Sequence, residues 1–237
     1  GFYEKPGLQS SLKMILPLAL AVLIRPTTIV AGFYFLLYNV HSLEALKDRF
    51  SLLIRKWYLL LFMFIIAIIV FFPQMLYWHY VTGKWIVYSY QSEGFTNAVS
   101  PYFSTVLIGA KNGWYIYTPL MFVATLALIY LVFKRIHSAP AILLVMFLIV
   151  YINASWWLPT FSAAAGYRTL VEFIPFMTIP LAYILENSTQ HLIFRRILIA
   201  VFIIFIIYNI LFCFKYDGWL WWNTEWQWSH FERLIRF

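Results

Sequence analysis

Arg25 interrupts an otherwise apolar run, LAVLIRPTTIV (Leu20–Val30). A guanidinium near mid-membrane costs about 2.5–3.5 kcal/mol on insertion scales, so it normally faces a wet cavity or a partner. Pro26 follows, and the residue before a proline leaves the α region. The break is expected to free the N–H groups of Thr27 and Thr28. An arginine fork beside an open helix start suits a phosphate. The plainer alternative is an arginine that snorkels or caps a kink. A second cation, Arg168, sits in AAAGYRTLVEFIP (Ala163–Pro175), with Glu172 four residues on. On an α-helix that spacing puts both on one face. Glu172 then either pairs with Arg168 to stabilise the helix start or holds it ready for an anion. Gly166, just before, permits close backbone approach.

Glu93 is the only acid in the long segment His79–Gly113. It is a candidate general base or metal ligand, or else a solvated loop charge. His79 and Lys84 precede it and Lys111 follows, so the segment carries cations that could meet a phosphate. There is no HExxH, no His/Asp/Glu group at metal-ligand spacing, no GxSxG and no P-loop. No cofactor is assigned, and a divalent metal stays open although no ligand motif supports it. Cys213 stands alone, which leaves no disulfide framework. Asn153-Ala-Ser and Asn187-Ser-Thr match the glycosylation pattern, but one lies in an apolar segment and the other on the inner face, so both are set aside.

These residues sit in a chain of 237 residues that is 63% hydrophobic and 11% charged, with a mean hydropathy of +0.79. Soluble domains carry about a quarter charged residues, so the composition indicates an integral membrane protein. The net charge of +8 does not point to nucleic acid, because Lys and Arg cluster beside apolar segments, where orientation and anionic lipid account for them. The chain starts at Gly1 without a signal peptide, and reads as the later part of a longer protein.

Six apolar segments approach the ~20 residues that cross ~30 Å of hydrocarbon: Leu12–Val40, Ile54–Tyr77, Trp114–Phe133, Ala139–Leu158, Leu170–Leu185 and Ile193–Phe214. Lipid offers the backbone no partner, so such segments must be helices. The expected fold is all-α and polytopic, with about six transmembrane helices in one domain over residues 1–237. Pro17 and the IRPTT run interrupt the first segment, which is either one kinked span or two half-helices in a re-entrant hairpin. The hairpin would place the N-terminus in the cytoplasm.

The links between these segments set the orientation. Lys47, Arg49, Arg55 and Lys56 lie between segments one and two, Lys134 and Arg135 between three and four, Arg195 and Arg196 between five and six. Short basic links stay in the cytoplasm. The loop 79–113, the short loop Pro159–Thr169 and the tail after Lys215 then face outward. That face is rich in tryptophan, including Trp78, Trp85, Trp114, Trp156 and Trp157, with Trp219, Trp221, Trp222, Trp226 and Trp228 in the tail 216–237. An interfacial aromatic belt explains most of these rings.

Taken in order, LAVLIRPTTIV, FPQMLYWHYVTGKWIVYSYQSEGF, GAKNGWYIYTPLM and WWLPTFSAAAGYRTLVEFIPFMTIPLAYIL resemble the later membrane region of bacterial GT-C glycosyltransferases. The group they resemble is glycosyltransferase family 39, the protein mannosyltransferase and aminoarabinose-transferase-like branch. The likeness runs from about Leu12 to Pro180. It implies a multi-pass protein of the bacterial inner membrane. Such an enzyme takes a sugar from a polyprenyl-phosphate carrier and passes it, with inversion, to a glycan, lipid or protein acceptor at the outer face.

On that resemblance Arg25, Lys84, Lys111 and Arg168 are the candidates for steadying the carrier phosphate, and Glu172, Gly166, Trp114 and Tyr117 support them. The loop from Glu93 to Pro119 would form the outer lid and wall of the cavity, its rings stacking on sugar or lining the entrance for the lipid tail. The family's catalytic acid follows its first span, and no residue here matches it, so this chain is expected to be the C-terminal portion; Glu93 is the only acid left to consider. Leu158, Pro159 and Thr160 stand where the family has Tyr and Gly pairs, whereas Gly166 and Arg168 match. A transporter or flippase of lipid-linked glycans, and a non-catalytic membrane subunit, remain alternatives. A broken helix holding an arginine also suits transporters.

Overall fold

The computed structural model describes residues 2–88, 90, 92–161, 166–215 and 227–235. Among these every element is helical. The chain divides into two compact units, residues 1–93 and 94–237, and the division falls inside the long loop.

In the first unit, α1 (Leu8–Ile24) starts after Gly7, whose N–H donates to Ser10 Oγ at 3.0 Å. It ends at Arg25, in extended geometry (φ −146°, ψ 111°), as a residue before proline must be. Pro26 opens a 3-10 stretch, Pro26–Val30, that leads into α2 (Ala31–Leu37). The chain then returns along α1. A Cβ on Gly32 would lie 3.8 Å from Leu18 Cδ2, and the Phe35 ring stacks on Tyr3 with centroids 4.9 Å apart. The chain therefore turns back at Arg25 and brings Gly32 beside Leu18. Leu8, Leu12, Leu16, Leu20 and Ile24 form an exposed stripe along α1.

Ser42 caps α3 (Leu43–Arg55) by accepting the Ala45 N–H at 3.0 Å. After Lys56 the chain enters α4 (Trp57–Thr82), which packs along α1. At 26 residues α4 is about 39 Å long. Gly83, with φ 72°, closes it in the left-handed cap that favours glycine. Phe2, Leu53, Leu59 and Met63 are the core of this unit.

The second unit opens with an irregular stretch and α5 (Phe103–Ile108). A tight turn at Gly109–Gly113 leads to α6 (Trp114–Tyr117), α7 (Pro119–Phe133) and α8 (Ala139–Ala154). A 3-10 stretch, Arg168–Phe173, runs into α9 (Ile174–Asn187), then come α10 (Leu192–Phe214) and α11 (Trp228–Ile235). Helix α7 is central: it packs on α8, α9 and α10 and buries Met121, Ala124, Leu128 and Leu131 at helical spacing. Small buried residues, Ala124, Ala127, Ala141 and Ala154, let neighbours approach closely, as helix contacts in lipid require.

The turn between α7 and α8 is a Schellman motif. Ile136 N–H donates to Leu131 O and Arg135 N–H to Val132 O, at 3.0 and 2.9 Å. The position that favours glycine is held by Arg135 at φ 57°.

Three described helices are long and apolar enough to cross a membrane: Trp57–Thr82, Arg168–Asn187 and Leu192–Phe214. The expected six are not all of spanning length. Helices α7 and α8, at 15 and 16 residues, reach only about 22 and 24 Å. Their apolar sequence continues past their ends, but Pro119 restarts the helix beyond Trp114–Tyr117, and the chain leaves α8 at Ser155. The loop 79–113 is not all loop either: α4 runs on to Thr82 and α5 occupies Phe103–Ile108. In the tail, Trp219, Trp221, Trp222 and Trp226 lie outside the described residues.

Candidate functional site

At one end of the second unit five stretches converge. Residues 94–102 lie on the end of α8: Asn97 N–H donates to Ser155 O at 3.0 Å, its side-chain amide to Trp156 O at 2.7 Å, and Tyr102 N–H to Ala154 O at 2.9 Å. The end of α10 meets the start of α7, with Tyr208 donating to Ile116 O at 3.1 Å and Asn209 donating to Tyr117 O. Phe231 of α11 packs edge-on against Tyr117. The basic links, Lys134–Arg135 and Arg195–Arg196, lie at the other end of these helices. Within this unit Trp114, Trp156 and Trp157 thus lie at one end and these two basic links at the other.

The turn Ala110–Trp114 is the buried centre of that end. Lys111, Asn112, Gly113 and Trp114 are all buried, Asn112 completely. Asn112 is left-handed (φ 63°). Its amide donates to Thr160 O at 2.8 Å and Phe161 O at 3.1 Å, tying the turn to the loop that follows α8. Phe161 is also left-handed (φ 40°), and its ring packs on Trp156 and Tyr167. Tyr117 donates to Ala110 O at 2.6 Å and closes the turn from below. Gly166, at φ 83°, passes so near Tyr117 that a Cβ would sit 3.3 Å from the Tyr117 Cβ.

The electrostatics follow from burial. Desolvation holds the Lys111 ammonium below the ordinary lysine pKa. Burial pushes the Tyr167 hydroxyl up, so Tyr167 remains a donor, to Pro159 O at 2.7 Å. A desolvated ammonium in an aromatic setting interacts strongly with an oxyanion, because little water screens the pair.

Of the residues singled out by sequence, Lys111, Trp114, Tyr117 and Gly166 come together here. Arg168 opens the adjoining 3-10 stretch, exposed, between buried Tyr167 and Thr169. Glu172 lies in the same 3-10 stretch. Both Arg168 and Glu172 are exposed.

Arg25, Lys84 and Glu93 belong to the first unit. Arg25 is half-buried at the hairpin tip, and its carbonyl accepts both the N–H and the Oγ1 of Thr28, at 3.0 and 2.7 Å. The Thr28 N–H expected to be free is thus consumed by the turn. Lys84 and Glu93 are exposed beyond α4. The Glu93 carbonyl accepts Tyr88 Oη–H at 2.7 Å and its N–H donates to Tyr90 O at 2.9 Å.

Two polar residues carry structure that the sequence reading passed over. Asn112 is the cross-loop clamp. Asn153, set aside as part of a glycosylation pattern, is buried in α8, donates to Ile149 O and accepts Thr169 Oγ1–H at 2.6 Å. The signal available for Asn153 was an amide inside a long apolar run, which must find a partner. Among the described residues no group of three His, Cys, Asp or Glu gathers as a metal would need.

No family model matches this chain, and neither a curated protein nor a solved structure does.

Proposed function

We propose that this chain is part of a bacterial inner-membrane glycosyltransferase that moves a sugar from a polyprenyl-phosphate donor to an acceptor at the outer face. The observation that carries the reading is the buried Lys111, set among Trp114, Tyr117 and Gly166 at the aromatic end of the second unit. The four sequence motifs supply the reaction type. In this reading the shorter apolar helices α1, α7 and α8 are also membrane-embedded, which gives the six-segment topology.

The acceptor oxygen attacks the anomeric carbon as the bond from that carbon to the phosphate oxygen breaks. The acceptor proton goes to a carboxylate base. The electron pair leaves on the polyprenyl phosphate. Lys111, with Arg168 at the rim, stabilises that growing charge. Removing one such donor from a developing oxyanion lowers turnover by about 10²–10³.

The test uses the full-length protein in proteoliposomes, with a short-chain polyprenyl phosphate for binding and polyprenyl-phosphate mannose, glucose and aminoarabinose for single-turnover transfer. Lys111→Met is expected to abolish phosphate binding while the protein stays folded. Unchanged binding in that variant overturns the reading.

The α1–α2 hairpin, broken at Arg25 and Pro26, favours a second reading, a transporter of lipid-linked glycans, since such breaks place helix ends at midplane sites. Movement of a fluorescent lipid-linked sugar across the proteoliposome without transfer would select it.

A further inference from the structure

Helix α3 has three distinct faces. At about 100° per residue, Leu53 and Arg49 point one way. Leu53 joins the core of the first unit, and the Arg49 guanidinium sits 3.2 Å over the Tyr3 ring and donates to Tyr38 O at 2.7 Å. Glu44, Asp48 and Ser51 form a polar face. Leu43, Phe50 and Ile54 fall within about 40° of one another and make an apolar ridge between the other two. That ridge is uncovered: the three side chains are 78%, 46% and 72% exposed.

Two observations identify what covers it. The first is continuity. Only Lys56 separates α3 from α4, a helix long enough to cross a bilayer, and the first residues of α4, Trp57 and Tyr58, are exposed rings of the kind that mark a headgroup boundary. The end of α3 is thus anchored where lipid headgroups lie. The second is charge. Residues 43–56 carry Lys47, Arg49, Arg55 and Lys56 against Glu44 and Asp48. Lys47 flanks the ridge directly, and Arg55 and Lys56 stand at the end nearest α4. A strongly amphipathic helix with cations beside an exposed apolar ridge lies in the plane of a membrane interface.

We propose that α3 is a membrane-surface helix that seats Leu43, Phe50 and Ile54 in the acyl boundary of an anionic leaflet, with Lys47, Arg55 and Lys56 at its phosphates. This inference is independent of the glycosyltransferase reading, because it rests on the first unit alone. It assigns the first basic link an active hold on the bilayer surface, beyond its part in setting orientation.

The experiment is site-directed spin labelling of the full chain in vesicles containing phosphatidylglycerol. Cys213 is a free, exposed cysteine, so labels are placed in a Cys213→Ser background, at Leu43→Cys, Phe50→Cys and Ile54→Cys on the ridge and at Asp48→Cys and Ser51→Cys on the polar face. The ridge labels are expected to collide several-fold more with oxygen than with a water-soluble nickel chelate, and the polar-face labels to show the reverse. In vesicles of phosphatidylcholine alone, or in Lys47→Gln/Arg55→Gln protein, the ridge labels are expected to become shallower. Ridge labels shielded from both reagents would mean that protein covers the ridge, and ridge labels as wet as Asp48→Cys would mean that nothing does; either overturns the proposal. Equal ridge depth in anionic and zwitterionic vesicles overturns the requirement for anionic lipid.

Discussion

Asn112 and Phe161 both hold left-handed backbone, at φ 63° and 40°, and the Asn112 amide donates to the Phe161 carbonyl across 3.1 Å. One strained residue thus holds another, 49 positions away. Left-handed backbone is uncommon outside glycine and costs about 1–2 kcal/mol, so the clamp must exceed that in both loops. Asn112→Gly keeps the backbone conformation and removes the clamp. Asn112→Ala removes both and leaves two buried carbonyls without this donor. The expected losses are roughly 1–3 kcal/mol for the clamp, with Asn112→Ala the less stable of the two. Thermal unfolding in one detergent measures both, and equal stability of Asn112→Ala and wild type would show that the clamp carries nothing.

Lys111 gives a prediction in pH. Burial holds its folded pKa below that of the unfolded chain, which is about 10.4. Between the two values the unfolded state binds more protons, so stability rises with pH across that window. The desolvation penalty is fully present below the folded pKa and fades as Lys111 neutralises. Lys111→Met is therefore expected to exceed wild type in Tm at neutral pH, with the gap closing as pH approaches about 10.4. A gap that is constant with pH would mean that Lys111 keeps an ordinary pKa.

Gly166 and Gly83 both lie in the left-handed region, at φ 83° and 72°, but only Gly166 faces a neighbour, with Tyr117 3.3 Å from where a Cβ would be. Gly83→Ala then measures the backbone penalty alone, about 1–3 kcal/mol. Gly166→Ala adds displacement of Tyr117, whose hydroxyl closes the Lys111 turn. Its loss should be the larger, and it alone should change quenching of tryptophan fluorescence near Trp114. Matching losses would place Tyr117 outside the mechanism of the effect.

For the hairpin, cross-linking supplies the test. Gly32 lies against Leu18, whereas about fourteen residues of straight helix would separate them by about 21 Å. Leu18→Cys paired with Gly32→Cys, in the Cys213→Ser background, should form a disulfide readily under mild oxidation. Leu18→Cys paired with Ile24→Cys serves as the unreactive control. Absence of cross-linking in the first pair would restore the single kinked span.

The break at Arg25 was legible because Pro26 forbids the helix to pass through unbroken. Its outcome was not, because kink and hairpin place the same residues in the same local geometry. Only contacts between residues far apart in sequence, such as Phe35 on Tyr3, separate them, and hydropathy carries no such pairing. The same limit explains the helix lengths. Trp114–Tyr117 and Ser155–Leu158 carry no charge, so an apolar reading runs through the ends of α7 and α8 while the hydrogen bonding does not. Around Lys111, the aromatic and glycine positions could be read as a group, but Asn112 could not: its importance lies in two carbonyls supplied by another loop. The apolar pattern after Arg168 likewise did not show that the stretch Arg168–Phe173 is 3-10 and that the α-helix starts only at Ile174.

The turn between α7 and α8 places Lys134 and Arg135 side by side at the tip of a short hairpin, both exposed. Glycine at position 135 would relieve its left-handed backbone, so the arginine is held there against local preference. Its return is electrical. Moving one elementary charge across a membrane potential costs about 2.3 kcal/mol per 100 mV, so carrying this pair outward against a bilayer negative inside by that amount costs about 4.6 kcal/mol before any desolvation. In the six-segment reading proposed above, the strained turn acts as a one-way catch during biogenesis: the charged tip does not follow the two helices through the bilayer, and the hairpin keeps the direction in which it is inserted.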